Sequence, residues 1–248
     1  MAVPKVDPET IREAVLALEA TVIDDLRLPL PSDLKDISKA ASLVSGVVED
    51  RIPELLNRVR STTWDENGSL GAYEFRKYPI GFPDILLVER QKPENFIFEI
   101  EAKSWYILSA DPLTARFHTA ESVISPGTLV VIVAWMLDSV VAGSPKFMRL
   151  YVDDAQRLAR ERDARWEAID AKHRVVQPTN PPGTPRSQFA TQVRAEVEKN
   201  GRWVADADNF GKLDRLYDES ITGFRDDVLA LEAAGKSLAH WRKFIKGS

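Results

Sequence analysis

The chain has 248 residues, 44% of them hydrophobic and 29% charged, with a formal net charge of −5, which fits one large globular domain or a domain with an appended part. It has no cysteine and only three histidines, which excludes disulfides, thiolate metal sites, cysteine nucleophiles and a His-rich metal site, and fits a reducing cytoplasm. An isoelectric point near 5.4 argues against a non-specific nucleic-acid binder with a basic surface, but an acidic body can still offer a locally basic cleft around a metal ion.

The start, MAVPKVDPETIREAV, lacks the apolar segment of a signal peptide. Asp7-Pro8-Glu9 is a helix start, with Asp as cap, Pro in the first helical position and acid in the first turn. Ile11, Val15, Leu18 and Val22 follow at helical spacing until Pro29 and Pro31. Ser32 is placed to cap a second helix reaching Arg60, with Leu43, Val47, Ile52, Leu55, Leu56 and Val59 as its apolar stripe and Pro53 as a point of bending or division. A polar loop, Ser61–Leu70, leads to three predicted strands, Tyr73–Tyr78, Asp84–Glu89 and Phe96–Ile107, the last two joined by a turn at Lys92–Asn95.

Asp111-Pro112 repeats the helix-start signal and predicts a helix to about Ile124, closed by Pro126-Gly127. Thr128–Leu137 is almost wholly apolar and rich in β-branched residues, as in a strand buried on both faces, and is too short to cross a membrane. Lys146–Val152 is a further strand. Past Leu150 the composition changes. A charged helix spans Asp154–His173, a Pro/Gly-rich loop Gln177–Arg186, a helix Ser187–Asn200, and one or two helices run from Leu213 to Ile245 with a break near Thr222-Gly223. The expected division is a core of residues 1–153 and a mainly helical part of residues 154–248, packed on the same domain or separate from it.

Side chains alternate between the faces of a strand. In the third strand Ile97, Glu99, Glu101 and Lys103 therefore share one face, opposite Phe96, Phe98, Ile100 and Ala102. Pairing with the strand that opens at Asp84 gathers Asp84, Glu101 and Lys103 at one end of a sheet. Two carboxylates and an ammonium are a donor set suited to a hard divalent cation, and Mg2+ usually takes only one or two carboxylates.

Pro83-Asp84 followed by Glu101-Ala102-Lys103 on the next strand resembles the signature of the PD-(D/E)xK nuclease superfamily, which includes most type II restriction endonucleases. The predicted order, helix, three strands, helix, strand, is the αβββαβ core of that superfamily over Lys39–Leu137. The resemblance implies an α/β fold with a mixed sheet flanked by helices, plus helical additions at both ends. It also implies Mg2+-dependent hydrolysis of double-stranded DNA, with Mn2+ able to substitute, leaving 5′-phosphate and 3′-hydroxyl ends. Asp84, Glu101 and the Ala102 carbonyl would hold the metal, and Lys103 would orient or help deprotonate the attacking water. Glu49 or Asp50, on the helix before the strands, matches an acid that many relatives bring to the site, with Gly46 expected to allow close helix–sheet approach. Glu99 holds a second cation or flanks the site. Arg116, His118 and Glu121 fall on the expected helix after the Lys strand, with Glu121 read as a structural acid and His118 as a hydrogen-bonded helix residue.

Basic residues beside the loops, Arg58, Arg60, Arg76 and Lys77 before the strands and Lys172, His173, Arg174 and Arg186 around the Pro-rich loop, are candidates for DNA contact. A palindromic site would be read by a twofold homodimer, paired functionally with a DNA methyltransferase. The alternatives are a structure-specific or repair nuclease of the same fold, a non-catalytic DNA-binding or assembly module, and a helical interaction protein.

Overall fold

Asp7 opens the first helix, α1 (Pro8–Ala17), by accepting a hydrogen bond from the Glu9 amide at 3.3 Å and another from the Thr10 hydroxyl at 3.0 Å. The computed structural model describes residues 4–20, 37–109, 113, 115–140, 143–169, 172–191, 193–204, 209–216 and 218–247. Val22, Pro29, Pro31, Ser32 and the Asp111-Pro112 helix start lie outside them. Among the described residues no helix is long and apolar enough to cross a membrane.

The second helix, α2 (Ile37–Thr63), passes through Pro53 without dividing. Its buried stripe is Val44, Val48, Ile52, Leu55 and Leu56. Leu43, expected in the stripe, is 50% exposed, because the i, i+4, i+8 series that continues into Ile52 begins at Val44.

Five strands form a sheet in the order β1 (Tyr73–Lys77), β2 (Ile85–Glu89), β3 (Lys92–Tyr106), β4 (Leu129–Leu137) and β5 (Pro145–Asp154). β1–β2, β2–β3 and β4–β5 are antiparallel, and β3–β4 is parallel. The molecule is thus α/β with a mixed sheet. The β2–β3 turn is at Arg90-Gln91, since Glu89 pairs with Lys92, and not at Lys92–Asn95. Register shifts on either side of Val88 let the polar Lys92–Asn95 segment continue the strand. Every residue of β4 is buried, as its apolar run predicts.

One face of the sheet takes α2, where the Ser45 hydroxyl lies 2.6 Å from that of Ser104, and α1 packs against α2 and β5. The other face takes α5 (Glu219–Ala230): the Phe224 ring meets Trp105 of β3 and Tyr151 of β5 at 5.9 and 5.2 Å between centroids. Between β5 and α5 in the chain come the helix α3 (Ala155–Ile169) and a three-stranded antiparallel sheet of β6 (His173–Val176), β7 (Glu196–Lys199) and β8 (Arg202–Val204), with the short helix α4 (Arg186–Ala190) before β7. A hairpin of β9 (Glu232–Ala233) and β10 (Lys236–Ser237) precedes the last helix, α6 (Leu238–Ile245). Residues on both sides of the expected 153/154 division belong to one hydrophobic core.

Further expectations fail. The described residues between β3 and β4 form no α-helix. Leu113, Ala115, Phe117 and Thr119 are buried, while Arg116 is exposed and His118 partly so, the alternation of extended chain. Tertiary partners satisfy this backbone: Phe117 N–H donates to Gly211 O at 2.7 Å, Leu213 N–H to Ala115 O at 3.1 Å and Ala195 N–H to His118 O at 2.9 Å. With those groups paired from outside, nothing requires a helix. A 3-10 turn, Glu121–Val123, follows.

The helix expected over Ser187–Asn200 ends at Ala190, and Glu196–Lys199 is instead the middle strand of the small sheet. The break expected at Thr222-Gly223 falls later, at the β9–β10 hairpin. The region after residue 153 is mixed rather than mainly helical.

Candidate active site

The register Ile85↔Ile100 sets Asp84, the residue before β2, across from Glu101. Asp84 Oδ2 accepts the Ala102 amide at 2.8 Å. The Lys103 ammonium ion-pairs with Glu101 Oε1, lies 3.6 Å from Asp84 Oδ2 and donates to the Ala102 carbonyl at 3.3 Å. The hairpin therefore converges both carboxylates, one backbone carbonyl and the ammonium on one corner.

Glu101 is 6% exposed. Its burial, which the Lys103 ammonium opposes and the neighbouring Asp84 carboxylate reinforces, pushes its carboxyl up to about 7. Burial pulls the Lys103 ammonium down, but the charges of Glu101 and Asp84 outweigh it and hold the group above its ordinary value. From α2, Glu49 reaches the same cleft. Lys77 lies between Glu49 at 3.2 Å and Asp50 at 3.1 Å and donates to the Gly46 carbonyl at 3.4 Å. Burial opposes charge on Lys77, and its hydrogen bonds to these two acids overcome it and raise it. Of the two candidate acids, Glu49 lines the cleft, while the Asp50 side chain is 63% exposed. Gly46 is not there for close packing: a Cβ at that position would meet nothing within 4 Å.

The cleft measures about 630 Å³. Its lining takes Asp84, Glu101, Lys103, Glu49 and Lys77 from the hairpin, α2 and β1, and a second wall of Arg116, His118, Thr119, Thr191 and Arg194 from chain outside them. Among the described residues no three His, Cys, Asp or Glu side chains form a metal-holding group. The donor set is instead two carboxylates and a carbonyl, within what Mg2+ takes from protein. Glu101 Oε2 is buried without a hydrogen-bond partner, so one carboxylate oxygen at the corner has unused acceptor capacity. These residues fit a small divalent cation.

The other candidates disperse. Arg60 is internal: it pairs with buried Asp65 at 2.8 Å, donates to Tyr73 O at 2.5 Å and to Leu70 O, and covers the Trp64 ring at 4.9 Å. Arg58 lies 3.9 Å from Glu54, Arg76 pairs with Glu74 and Arg174 pairs with Glu198 of β7. Arg186 donates to buried Glu99 at 2.8 Å and to Val123 O at 2.6 Å. Glu99 also accepts from Thr128 at 2.8 Å and is a structural acid. Glu121 pairs with Arg160, and the His118 ring contacts Phe210 O at 2.8 Å and stacks on the Phe210 ring. The ring of His173 lies 5.3 Å from that of Trp166.

Of the expected DNA-contact residues, Lys77 alone lines the cleft. Sequence reasoning missed Arg116 and Arg194 as cleft residues because it placed both on helices. The signal available was the alternation Leu113, Ala115, Phe117, Thr119, with Arg116 and His118 between them.

No protein-family model matches the chain, and no match was found among curated proteins.

Proposed function

We propose that this chain has a restriction-endonuclease-like fold and acts as a Mg2+-dependent, site-specific endonuclease on double-stranded DNA, in the manner of a type II restriction enzyme. The observation that carries this reading is the convergence of Asp84, Glu101 and Lys103 from one hairpin on the edge of an open cleft. The strand order, three antiparallel strands and then β4 parallel to β3, supports it. The extended 115–119 segment departs from the αβββαβ pattern, but the hairpin that carries the acids does not depend on it.

Asp84, Glu101 and the Ala102 carbonyl would hold the cation. Mg2+, or Mn2+ in its place, supplies Lewis acidity at a phosphate oxygen and lowers the pKa of water. The protein's own part is positional. Lys103, fixed by Glu101, Asp84 and the Ala102 carbonyl, orients the attacking water and meets the negative charge that builds on phosphorus. The water oxygen bonds to phosphorus as the P–O3′ bond breaks, the water's proton passes to solvent, the leaving O3′ takes up a proton from solvent, and the ends are a 5′-phosphate and a 3′-hydroxyl. Glu49 holds Lys77 at the rim. A twofold homodimer would read a palindromic site, and a partner methyltransferase would protect the host's copies of it.

The test is digestion of plasmid DNA with Mg2+, beside EDTA and the variants Asp84→Ala and Lys103→Ala. Discrete fragments are expected from the wild type, with cleavage falling by about 10²- to 10⁴-fold in Lys103→Ala and at least as far in Asp84→Ala. A smear that needs Lys103 would favour a structure-specific or repair nuclease. Absence of cutting, together with no Asp84-dependent uptake of Mg2+ or Mn2+ by calorimetry, would overturn the enzyme reading.

A further inference from the structure

The part of the cleft lining that holds Arg116 has no part in the chemistry above. Arg116 lines it, is exposed, and its guanidinium has no hydrogen bond or ion pair with any described residue. The neighbouring cations are engaged: Lys103 with Glu101 and Asp84, Lys77 with Glu49 and Asp50. The backbone under Arg116 is fixed. It bridges to Lys212, and its neighbours are held by Phe117 N–H to Gly211 O at 2.7 Å and Leu213 N–H to Ala115 O at 3.1 Å, with the Ala115 and Phe117 side chains buried. Arg194 lies on the same wall, bridged to Thr119.

An anchored guanidinium presents a planar fork of donors matched to phosphate oxygens. A chain of net charge −5 needs such local cations to accept a polyanion. We propose that Arg116 contacts a backbone phosphate beside the scissile one and seats the DNA strand against the Asp84–Glu101–Lys103 corner. This rests on the nuclease reading. A phosphate contact positions a duplex without reading bases, so Arg116 sets affinity and register, while sequence choice lies elsewhere.

The experiment measures binding of a labelled DNA duplex by fluorescence anisotropy in EDTA across a series of salt concentrations. It compares wild type, Arg116→Ala, Arg116→Lys and, as a control outside the cleft, Arg174→Ala. Arg116→Ala is expected to weaken binding by roughly tenfold or more. It should also reduce the slope of log affinity against log salt by about one, to the same extent on unrelated sequences. Arg116→Lys should restore the slope and part of the affinity, and Arg174→Ala should match wild type. Mn2+ uptake by Arg116→Ala should equal that of wild type, which separates DNA seating from damage to the metal corner.

Wild-type affinity and slope in Arg116→Ala, while wild type binds and cuts DNA, would overturn this inference alone. If wild type neither binds nor cuts DNA, the nuclease reading falls and this inference falls with it.

Discussion

Lys103 is the counter-charge of two carboxylates, and burial of Glu101 beside Asp84 makes that corner proton-hungry. Glu101 sits at about 7, above an unfolded value of about 4.3. A raised carboxyl favours the folded state most below the unfolded value, and that contribution declines as pH rises through 7. Metal needs the ionised form, so binding must expel the proton. The metal-free protein should therefore bind Mn2+ more tightly as pH rises from about 6 to about 8, with net proton release at the lower end. Calorimetry in two buffers of different ionisation enthalpy would measure that release, and Glu101→Gln should abolish it. An affinity independent of pH across this window would mean that Glu101 is not a ligand.

At the scale of elements, the extended 115–119 segment decides which basic residues line the cleft. Its pairing with residues 209–213 passes over Gly211, whose φ of +80° and contact with His118 leave no room for a side chain: an added Cβ would stand 2.2 Å from His118 Cδ2. Gly211→Ala must both strain that backbone and push the His118 ring off the Phe210 carbonyl. The expected cost is about 2 kcal/mol or more in urea denaturation. DNA affinity should also fall, because the support under Arg116 shifts. Full stability and unchanged binding in that variant would show that the segment is held by other contacts.

Much of the rest of the architecture was legible in local patterns. The α1 cap was written in Asp7-Pro8-Glu9, β4 in an unbroken apolar run, and the pairing of Asp84 with Glu101 in strand alternation. Residues 115–119 and 193–200 were misread because their conformation depends on partners far along the chain. A Pro beside an Asp is a helix start only where the following backbone lacks outside partners, and Phe117, His118 and Ala115 have them. Two of the basic residues expected at DNA, Arg60 and Arg186, proved to fasten buried acids, Asp65 and Glu99. The composition of a loop does not tell whether an Arg side chain turns inward.

At the scale of the whole molecule, the part after residue 153 does more than append helices. It covers the second face of the sheet through Phe224, fixes Glu99 through Arg186, and builds the wall that holds Arg116 and Arg194. The two walls of the cleft also differ in how they come together. Asp84 and Ala102 are 18 residues apart and meet across a hairpin, whereas His118 and Phe210 are separated by 92. Short loops close at smaller entropic cost than long ones, so the carboxylate wall is the more locally encoded of the two. Parts joined only by distant contacts can open without unfolding the remainder. Amide exchange should therefore be faster at Phe117 and Ala195 than at Ile100 and Ala102. The protein would then pass through a partly opened state in which the metal corner is intact while the seat for the DNA strand is undone, so loss of grip on DNA would precede loss of the chemistry as the molecule is warmed.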